Sequence, residues 1–171
     1  MASIASPHHL ANPSVKSNKA QDMQGKTIIH PKDLNIVWGE DNRYWDVPNK
    51  ENNAAKLHQV SWFEVAGSVD GTSRNKKYDV GFRLSLAPDA FGFESSPIYL
   101  MVKRGKEGKF AWVKVFLNPK ETSEFEVTRS LMKADEQEAQ KSGDDKVYFG
   151  LYEVWSGKWK GGLMIHHAFI K

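Results

Sequence analysis

The chain has 171 residues, of which 40% are apolar and 26% charged, a composition typical of one globular domain. The formal net charge of +3 is too small to single out a nucleic-acid partner, and the short apolar runs fall far below the roughly 20 residues of a membrane span. Cysteine is absent, which excludes disulfides, thiolate metal sites and cysteine nucleophiles.

The first segment, residues 1–26, is rich in Ser, Pro, Asn, Lys and His and has little periodic apolar content. Such a segment buries too little surface to offset its ordering entropy, so it is predicted to be a flexible polar leader. It lacks the basic stretch followed by an apolar stretch that marks a secretory signal. We therefore expect a cytoplasmic address and a folded domain over residues 27–171.

Short strands dominate the remainder of the sequence. In residues 60–69, Phe63, Val65 and Val69 fall on one face and Trp62 and Glu64 on the other. This period-two alternation is typical of half-buried antiparallel strands. The predicted strands cover residues 34–38, 60–69, 78–86, 98–102, 110–117, 125–128, 147–155 and 163–170. The fold class is therefore all-β, an antiparallel sandwich, with short helical insertions predicted within residues 51–59 and 129–142.

Common catalytic and metal-binding motifs are missing. The sequence has no HExxH, no phosphate-binding glycine loop and no GxSxG nucleophile motif. His166 and His167 are adjacent, and in a regular strand adjacent side chains point to opposite faces, so they are not expected to chelate one metal. We predict no catalytic residue, no metal and no cofactor.

Tryptophan is the informative residue type, with six in the chain. Residues 38–45 interleave three aromatic side chains with carboxylates, an amide and a guanidinium, and residues 153–162 repeat the mixture. An indole can cover the C–H face of a sugar ring while neighbouring polar groups take its hydroxyls. Polar, glycine-flanked surroundings place Trp38, Trp45 and Trp159 at a loop rim, whereas Trp62 and Trp112 are expected to be packing residues on strands.

The sequence resembles the phloem protein 2 family, also called the Nictaba-like plant lectins. The resemblance rests on residues 36–41 (IVWGED), 44–45 (YW), 57–67 (LHQVSWFEVAG), 151–154 (LYEV) and 159–163 (WKGGL), in the family's order. It implies a jelly-roll-like β-sandwich in the phloem sap that binds N-acetylglucosamine oligomers and N-glycan cores without catalysis.

The resemblance also implies the positions of the binding residues. The family's binding tryptophans fall on Trp38 and Trp45, and its C-terminal pattern falls on Glu153, Trp159 and Lys160. Beside them, Glu40 is expected to accept hydrogen bonds from the sugar and Tyr44 to brace the loop.

Two other functions remain open from the residues. RNA binding would use Lys158, Trp159 and Lys160 with the basic loop at residues 103–109 as a phosphate-binding and stacking surface. A glycosidase would need a facing pair of carboxylates, drawn from a set of four acidic residues: Glu40, Asp41, Glu64 and Glu153.

A homodimer is expected by family analogy. Three residues that the alternation of residues 110–117 turns outward would form its apolar interface: Phe110, Trp112 and Phe116.

Overall fold

A computed structural model describes residues 20–21, 25–50, 53–70, 75–121, 123–132 and 146–171. In these residues twelve strands and one short 3₁₀ helix are present, and no helix is long and apolar enough to cross a bilayer. The elements run in the order β1 (Ala20–Gln21), β2 (Thr27–Ile29), the 3₁₀ helix (Pro31–Asp33), β3 (Asn35–Ile36), β4 (Trp45–Asp46), β5 (Ala55–Leu57), β6 (Phe63–Val69), β7 (Tyr78–Phe91), β8 (Ile98–Arg104), β9 (Ala111–Val115), β10 (Phe125–Leu131), β11 (Val147–Glu153) and β12 (Gly161–Ile170).

The longer strands form two antiparallel sheets. β12 is a central strand of the seven-stranded sheet. It pairs with β7 along one edge and with both β2 and β5 along the other. β10 pairs with the other edge of β7. The five-stranded sheet has the order β3-β6-β11-β8-β9. The two sheets pack face to face, so the predicted all-β antiparallel sandwich is confirmed.

The core lies between the sheets and follows the alternation in the sequence. Phe63 and Val65 of β6 are fully buried, as are Leu100 of β8 and Phe149 of β11. Phe82 of the facing sheet contacts Phe149 with ring centroids 5.7 Å apart. The outer positions of the five-stranded sheet are therefore left to present side chains away from this core.

One predicted helix is wrong, because the described part of residues 51–59 contains the strand β5 (Ala55–Leu57) and no helix. Ala55 and Leu57 are buried and Lys56 is exposed, the alternation of a strand, and Ala55 pairs with Ile165 of β12. Helix-favouring residue types are overridden here by a place in the sheet. In the second predicted helix, residues 129–131 are strand; residues 133–142 lie outside the described residues.

The predicted leader, residues 1–26, lies mostly outside the described residues. Within it, Ala20–Gln21 pair with Thr27–Ile28 in an antiparallel ladder at the edge of the seven-stranded sheet. The division into leader and domain stays a prediction.

Candidate functional site

The turn after β3 displays Trp38. Trp38 has a φ of 66°, the left-handed region, and it is the one non-glycine residue with a positive φ within the described ranges. Such a conformation costs about 1 kcal/mol for an L-residue. The next residue is Gly39, where an added Cβ would lie 2.8 Å from the Ile36 carbonyl oxygen. The turn is closed by Gly39 N donating to Ile36 O at 2.9 Å, and it leaves the Trp38 side chain 49% exposed.

The next turn is rigidified by Asp41. Its Oδ1 accepts a hydrogen bond from Arg43 N at 3.0 Å, and its Oδ2 accepts one from Arg43 Nη2 at 2.7 Å. The hydrogen bonds from the Arg43 side chain hold the pKa of the Asp41 carboxyl below its usual value. Tyr44 follows this turn, and its backbone N–H donates to Asp41 O at 2.9 Å.

Three of the predicted site residues form one aromatic surface, which we call the aromatic platform: Trp38, Tyr44 and Trp159. The Tyr44 ring lies between the two indoles, with centroids 5.7 Å from Trp38 and 6.4 Å from Trp159. Tyr44 is half-buried against the core, while Trp159 is 52% exposed. Glu40, also predicted, is exposed on the same turn, beside a surface concavity of about 800 Å³ lined by residues 35–43.

The predicted role of Trp45 as a stacking residue is wrong. Trp45 is 0% exposed, pairs with Leu57 of β5, and its ring centroid lies 6.0 Å from that of Phe63. Its indole N–H is buried without an acceptor among the described residues. A ring sealed in this way cannot contact a ligand, so Trp45 anchors the strand that follows the platform.

The structure buries Lys160 and Glu153, two further predicted ligand-binding residues, and pairs them with each other. Lys160 is 0% exposed, and its Nζ forms an ion pair with the Glu153 carboxylate and donates to Ser61 O at 2.7 Å and Lys158 O at 2.9 Å. Glu153 Oε1 accepts from Ser156 N at 3.1 Å. The pair fixes residues 154–160, which we call the Trp155 loop, and Trp159 projects from that loop.

The four carboxylates considered for a glycosidase do not present a facing pair. Asp41 is held by Arg43, and Glu153 by Lys160. Glu64 is buried and accepts a hydrogen bond from Trp62 Nε1 at 3.1 Å. Of the four, Glu40 is the exposed one, whereas hydrolysis of a glycosidic bond ordinarily requires two.

The surface expected to bind RNA has fewer exposed lysines than the sequence indicates. Lys160 is buried, as described, and Lys103 is 4% exposed, with its Nζ donating to Lys106 O at 2.8 Å and lying 4.7 Å from the centroid of the Phe110 ring. Among the lysines considered, Lys106, Lys109 and Lys158 stay exposed.

A second aromatic group, which the sequence did not indicate, is formed by Tyr99 of β8, Trp112 of β9 and Trp155. Tyr99 contacts both indoles, with centroids 5.6 Å from Trp112 and 5.0 Å from Trp155. Trp112 is 55% exposed, so its expected role as a packing residue is wrong. The alternation already placed Trp112 outward, but the contact of Tyr99 with Trp155, 56 positions along the chain, had no local signal.

A bulge in β12 overturns the expectation that His166 and His167 face opposite sides. The β12–β7 register shifts between Ile165 and His167, so His166 is the extra residue and both rings are half-buried on the outer face. His167 contacts Phe169, and burial lowers the pKa of its imidazole. No group of three or more His, Asp or Glu side chains in the described residues is arranged to hold a metal ion.

His166 also belongs to a triad-like arrangement with Ser85 and Glu124. Its Nε2 lies 2.7 Å from Ser85 Oγ, and its Nδ1 lies 3.5 Å from Glu124 Oε1. The order of groups matches that of a serine hydrolase. Ser85 is only 4% exposed, in a strand paired along its length, so its hydroxyl is closed to a substrate carbonyl. We assign the three to stabilisation of the sheet face.

Solved structures with the same fold include proteins of different activity. A family 35 carbohydrate-binding module from Clostridium thermocellum matches with a TM-score of 0.50 and 11% identity, covering 85% of this chain and 96% of the module. A cyclase from Fischerella sp. TAU matches with a TM-score of 0.50 and 13% identity, covering 97% of this chain and 81% of the cyclase. These likenesses establish the fold and leave the activity open.

Similarity in sequence is more informative than this similarity in fold. Protein PHLOEM PROTEIN 2-LIKE A9 of Arabidopsis thaliana is 38% identical, with 100% of this chain and 99% of the relative covered. Protein PHLOEM PROTEIN 2-LIKE A1 of the same plant is 27% identical, with 84% of this chain and 60% of that relative covered. A family model described as Phloem protein 2 matches residues 24–171. The chain therefore belongs to the phloem protein 2 family.

Proposed function

We propose that this protein is a lectin that binds N-acetylglucosamine oligomers, as free chito-oligosaccharides or on glycoproteins, and that it does not cleave them. The observation that carries the proposal is the aromatic platform, in which Trp38 and Trp159 flank Tyr44 with about half of each indole exposed. Membership of the phloem protein 2 family and a fold shared with a carbohydrate-binding module support a lectin-type role.

The platform suits a neutral sugar for two reasons. A pyranose ring has a face of C–H groups that gains free energy when it covers an indole. Its hydroxyl and acetamide N–H groups then need acceptors, and the exposed carboxylate of Glu40 lies on the same turn as Trp38. A row of three rings also offers contact to successive sugar rings, so affinity is expected to rise from the monosaccharide to the trisaccharide.

Replacement of the two exposed indoles tests the proposal. Trp38→Ala and Trp159→Ala are each expected to lower the affinity for chitotriose by about tenfold or more, because an exposed indole contributes contact area to the ligand. Isothermal titration calorimetry measures the affinity. Met132→Ala is the control, because Met132 is 63% exposed and lies outside both aromatic groups and outside the expected dimer interface.

The control should bind like the parent protein, and all three variants should unfold within about 0.5 kcal/mol of it, as surface substitutions usually do. If Trp38→Ala and Trp159→Ala both bind chitotriose with the parent's affinity, the platform is not the binding site. Recovery of shorter sugars after incubation with chitotriose would contradict the non-catalytic part of the proposal.

The salt dependence of binding separates this function from RNA binding. A neutral sugar displaces no counterions, so its affinity should be the same at low and high salt, whereas binding to phosphates weakens steeply. Two further expectations stay predictions: a cytoplasmic address, with the phloem sap as the family's location, and a homodimer. For the dimer, Trp112 and Phe116 are exposed as expected, while Phe110 is half-buried beside Lys103.

A further inference from the structure

The second aromatic group forms a cleft on the outer face of the five-stranded sheet. Tyr99 and Trp112 project from neighbouring strands, in which Tyr99 pairs with Lys114 and Met101 with Trp112. Trp155 closes the other side from the Trp155 loop. The three rings line an open cavity of about 570 Å³, which we call the indole cleft. This volume is within the range of small-ligand sites, which is about 300–1,000 Å³.

The lining of the indole cleft indicates a ligand without charge. Trp112 and Trp155 are each at least 50% exposed, and they provide apolar walls. Hydroxyl groups line another part of the cleft, on Ser95, Ser96 and Ser156. Glu153 is the one charged residue of the lining, and its carboxylate is already ion-paired with Lys160 and accepts from Ser156 Oγ at 3.0 Å. Aromatic walls with hydroxyl donors and acceptors, and no uncompensated charge, fit one neutral sugar ring.

The cleft is built before a ligand arrives. The Tyr99 ring lies edge-on to both indoles, at interplanar angles of 62° and 79°. The Trp155 loop is tied to the end of β11 through Ser156, whose backbone N–H and hydroxyl both donate to Glu153. Side chains that are already ordered lose little entropy on binding, which favours affinity.

The Trp155 loop also connects the cleft to the aromatic platform. Trp155 belongs to the cleft and Trp159 to the platform, and four residues of extended chain span at most about 14 Å. An oligosaccharide of several rings is long enough to span this distance. Lys158 lies between the two tryptophans in sequence, and its Nζ is 3.5 Å from Ser95 Oγ at the cleft.

We propose that the indole cleft is a second sugar subsite, which takes an outer ring of a long N-acetylglucosamine oligomer whose other rings occupy the aromatic platform. This inference rests on the proposed lectin function and adds to it the length of the preferred ligand. Short oligomers fill the platform alone, and longer ones gain the additional contact with Trp112 and Trp155 without a second association cost.

The test compares chitotriose with chitohexaose. Trp112→Ala and Trp155→Ala are each expected to lower the affinity for chitohexaose by about tenfold and to leave the affinity for chitotriose unchanged, by calorimetry. Trp159→Ala should weaken the binding of both ligands, and the control Met132→Ala should weaken neither. Indole N–H signals in NMR spectra give a direct readout: those of Trp112 and Trp155 should shift with chitohexaose and stay in place with chitotriose.

Failure of this inference differs from failure of the proposed function. If both cleft variants bind chitohexaose like the parent while Trp159→Ala still loses chitotriose, the subsite is wrong and the lectin stands. If Trp159→Ala binds both sugars with the parent's affinity, the aromatic platform is not the binding site. If Trp112→Ala turns a dimer into a monomer in ultracentrifugation and chitohexaose binding is unchanged, the cleft is covered by a second copy of the chain, which also overturns the subsite.

Discussion

At the scale of single residues, five of the six tryptophans divide into four exposed rings and one sealed ring, and Trp62 is half-buried. Trp38, Trp112, Trp155 and Trp159 are each about half exposed, whereas Trp45 is 0% exposed. Trp38 keeps its exposure at the cost of a left-handed backbone, a conformation that is found more often where function requires it. Trp45 takes the opposite role, because its strand turns the ring inward to Leu57 and Phe63.

Trp45 yields a prediction about stability. Trp45→Ala removes a large buried ring and leaves a cavity, so the free energy of unfolding is expected to fall by roughly 3–5 kcal/mol. Trp45→Phe keeps most of the packing and removes the buried indole N–H that has no acceptor within the described residues, so it should cost far less. Urea denaturation measures both. Equal losses from the two variants would contradict this account.

The sequence predicts the three residues of the aromatic platform as site residues, but it does not predict the direction in which each aromatic ring of residues 38–45 points. Trp38, Tyr44 and Trp159 were each expected at the site and are found together. Trp45 has the same polar neighbours in sequence, and those neighbours carry no information about which way a ring turns. Orientation is decided by pairing with β5, a contact that depends on the fold as a whole.

At the scale of elements, the Trp155 loop holds the two aromatic groups in their places. Val60 and Lys160 exchange backbone hydrogen bonds of 2.9 Å, and the Lys160 side chain fills the space under the loop. A buried ammonium is stable only when its partners are in place, here the Glu153 carboxylate and the carbonyls of Ser61 and Lys158. The ion pair therefore positions Trp155 and Trp159.

Removal of one partner of this ion pair tests the positioning role. Lys160→Met leaves Glu153 buried and unpaired, so the free energy of unfolding should fall by roughly 3–5 kcal/mol, and chitotriose binding should weaken with it. In the double variant Lys160→Met/Glu153→Gln no buried charge remains, and both stability and binding should recover in large part. A double variant that regains stability without regaining binding would show that Lys160 donates to the sugar after all.

Alternation predicted the long strands well and the short segments poorly. The long strands β6, β7 and β9 lie where the alternation predicts strands, and in β9 the pattern also assigns the more buried face. In β6 all seven residues are buried, including Glu64, which the pattern places on the other face. The segment that forms β5 reads as a helix because Ala, Lys and Leu favour helices, and its three-residue strand exists through its pairs with β4 and β12. The bulge at His166 could not be predicted either, because the local alternation of apolar and polar residues does not show where a strand has an extra residue.

At the scale of the whole molecule, both proposed sugar-binding features lie around the five-stranded sheet. Tyr99 and Trp112 stand on its outer face, and Trp38 follows its edge strand β3. The same sheet carries Glu64 of β6, which is 8% exposed. Burial raises the pKa of the Glu64 carboxyl, an effect that the hydrogen bond from Trp62 Nε1 offsets only in part.

This raised pKa predicts how the stability of the molecule changes with pH. Above about pH 4.5, the ordinary value, the unfolded chain releases a proton that folded Glu64 retains. The folded state then binds more protons, so this contribution to stability is complete below that pH and is lost as pH rises through the folded pKa. Glu64→Gln, which keeps an acceptor for Trp62, should flatten the decline.

Urea denaturation midpoints of the parent protein and of Glu64→Gln, measured below and above about pH 4.5, test this prediction. Glu107→Gln makes the same change of charge at an exposed position, and the pH profile should follow that of the parent. If the parent and Glu64→Gln give parallel profiles, Glu64 does not carry the effect.

The pairing of β12 with β2, β5 and β7 has a consequence for how the chain is made. During translation, Thr27–Ile29, Ala55–Leu57 and Tyr78–Phe91 leave the ribosome long before Gly161–Ile170, the strand that joins them. Until β12 is synthesised, β7 lacks its pairing partner and the sheet is incomplete. Contacts between residues so distant in sequence also form slowly. We expect the nascent protein to depend on chaperones during this interval, and its soluble yield to improve when synthesis is slowed by cooling.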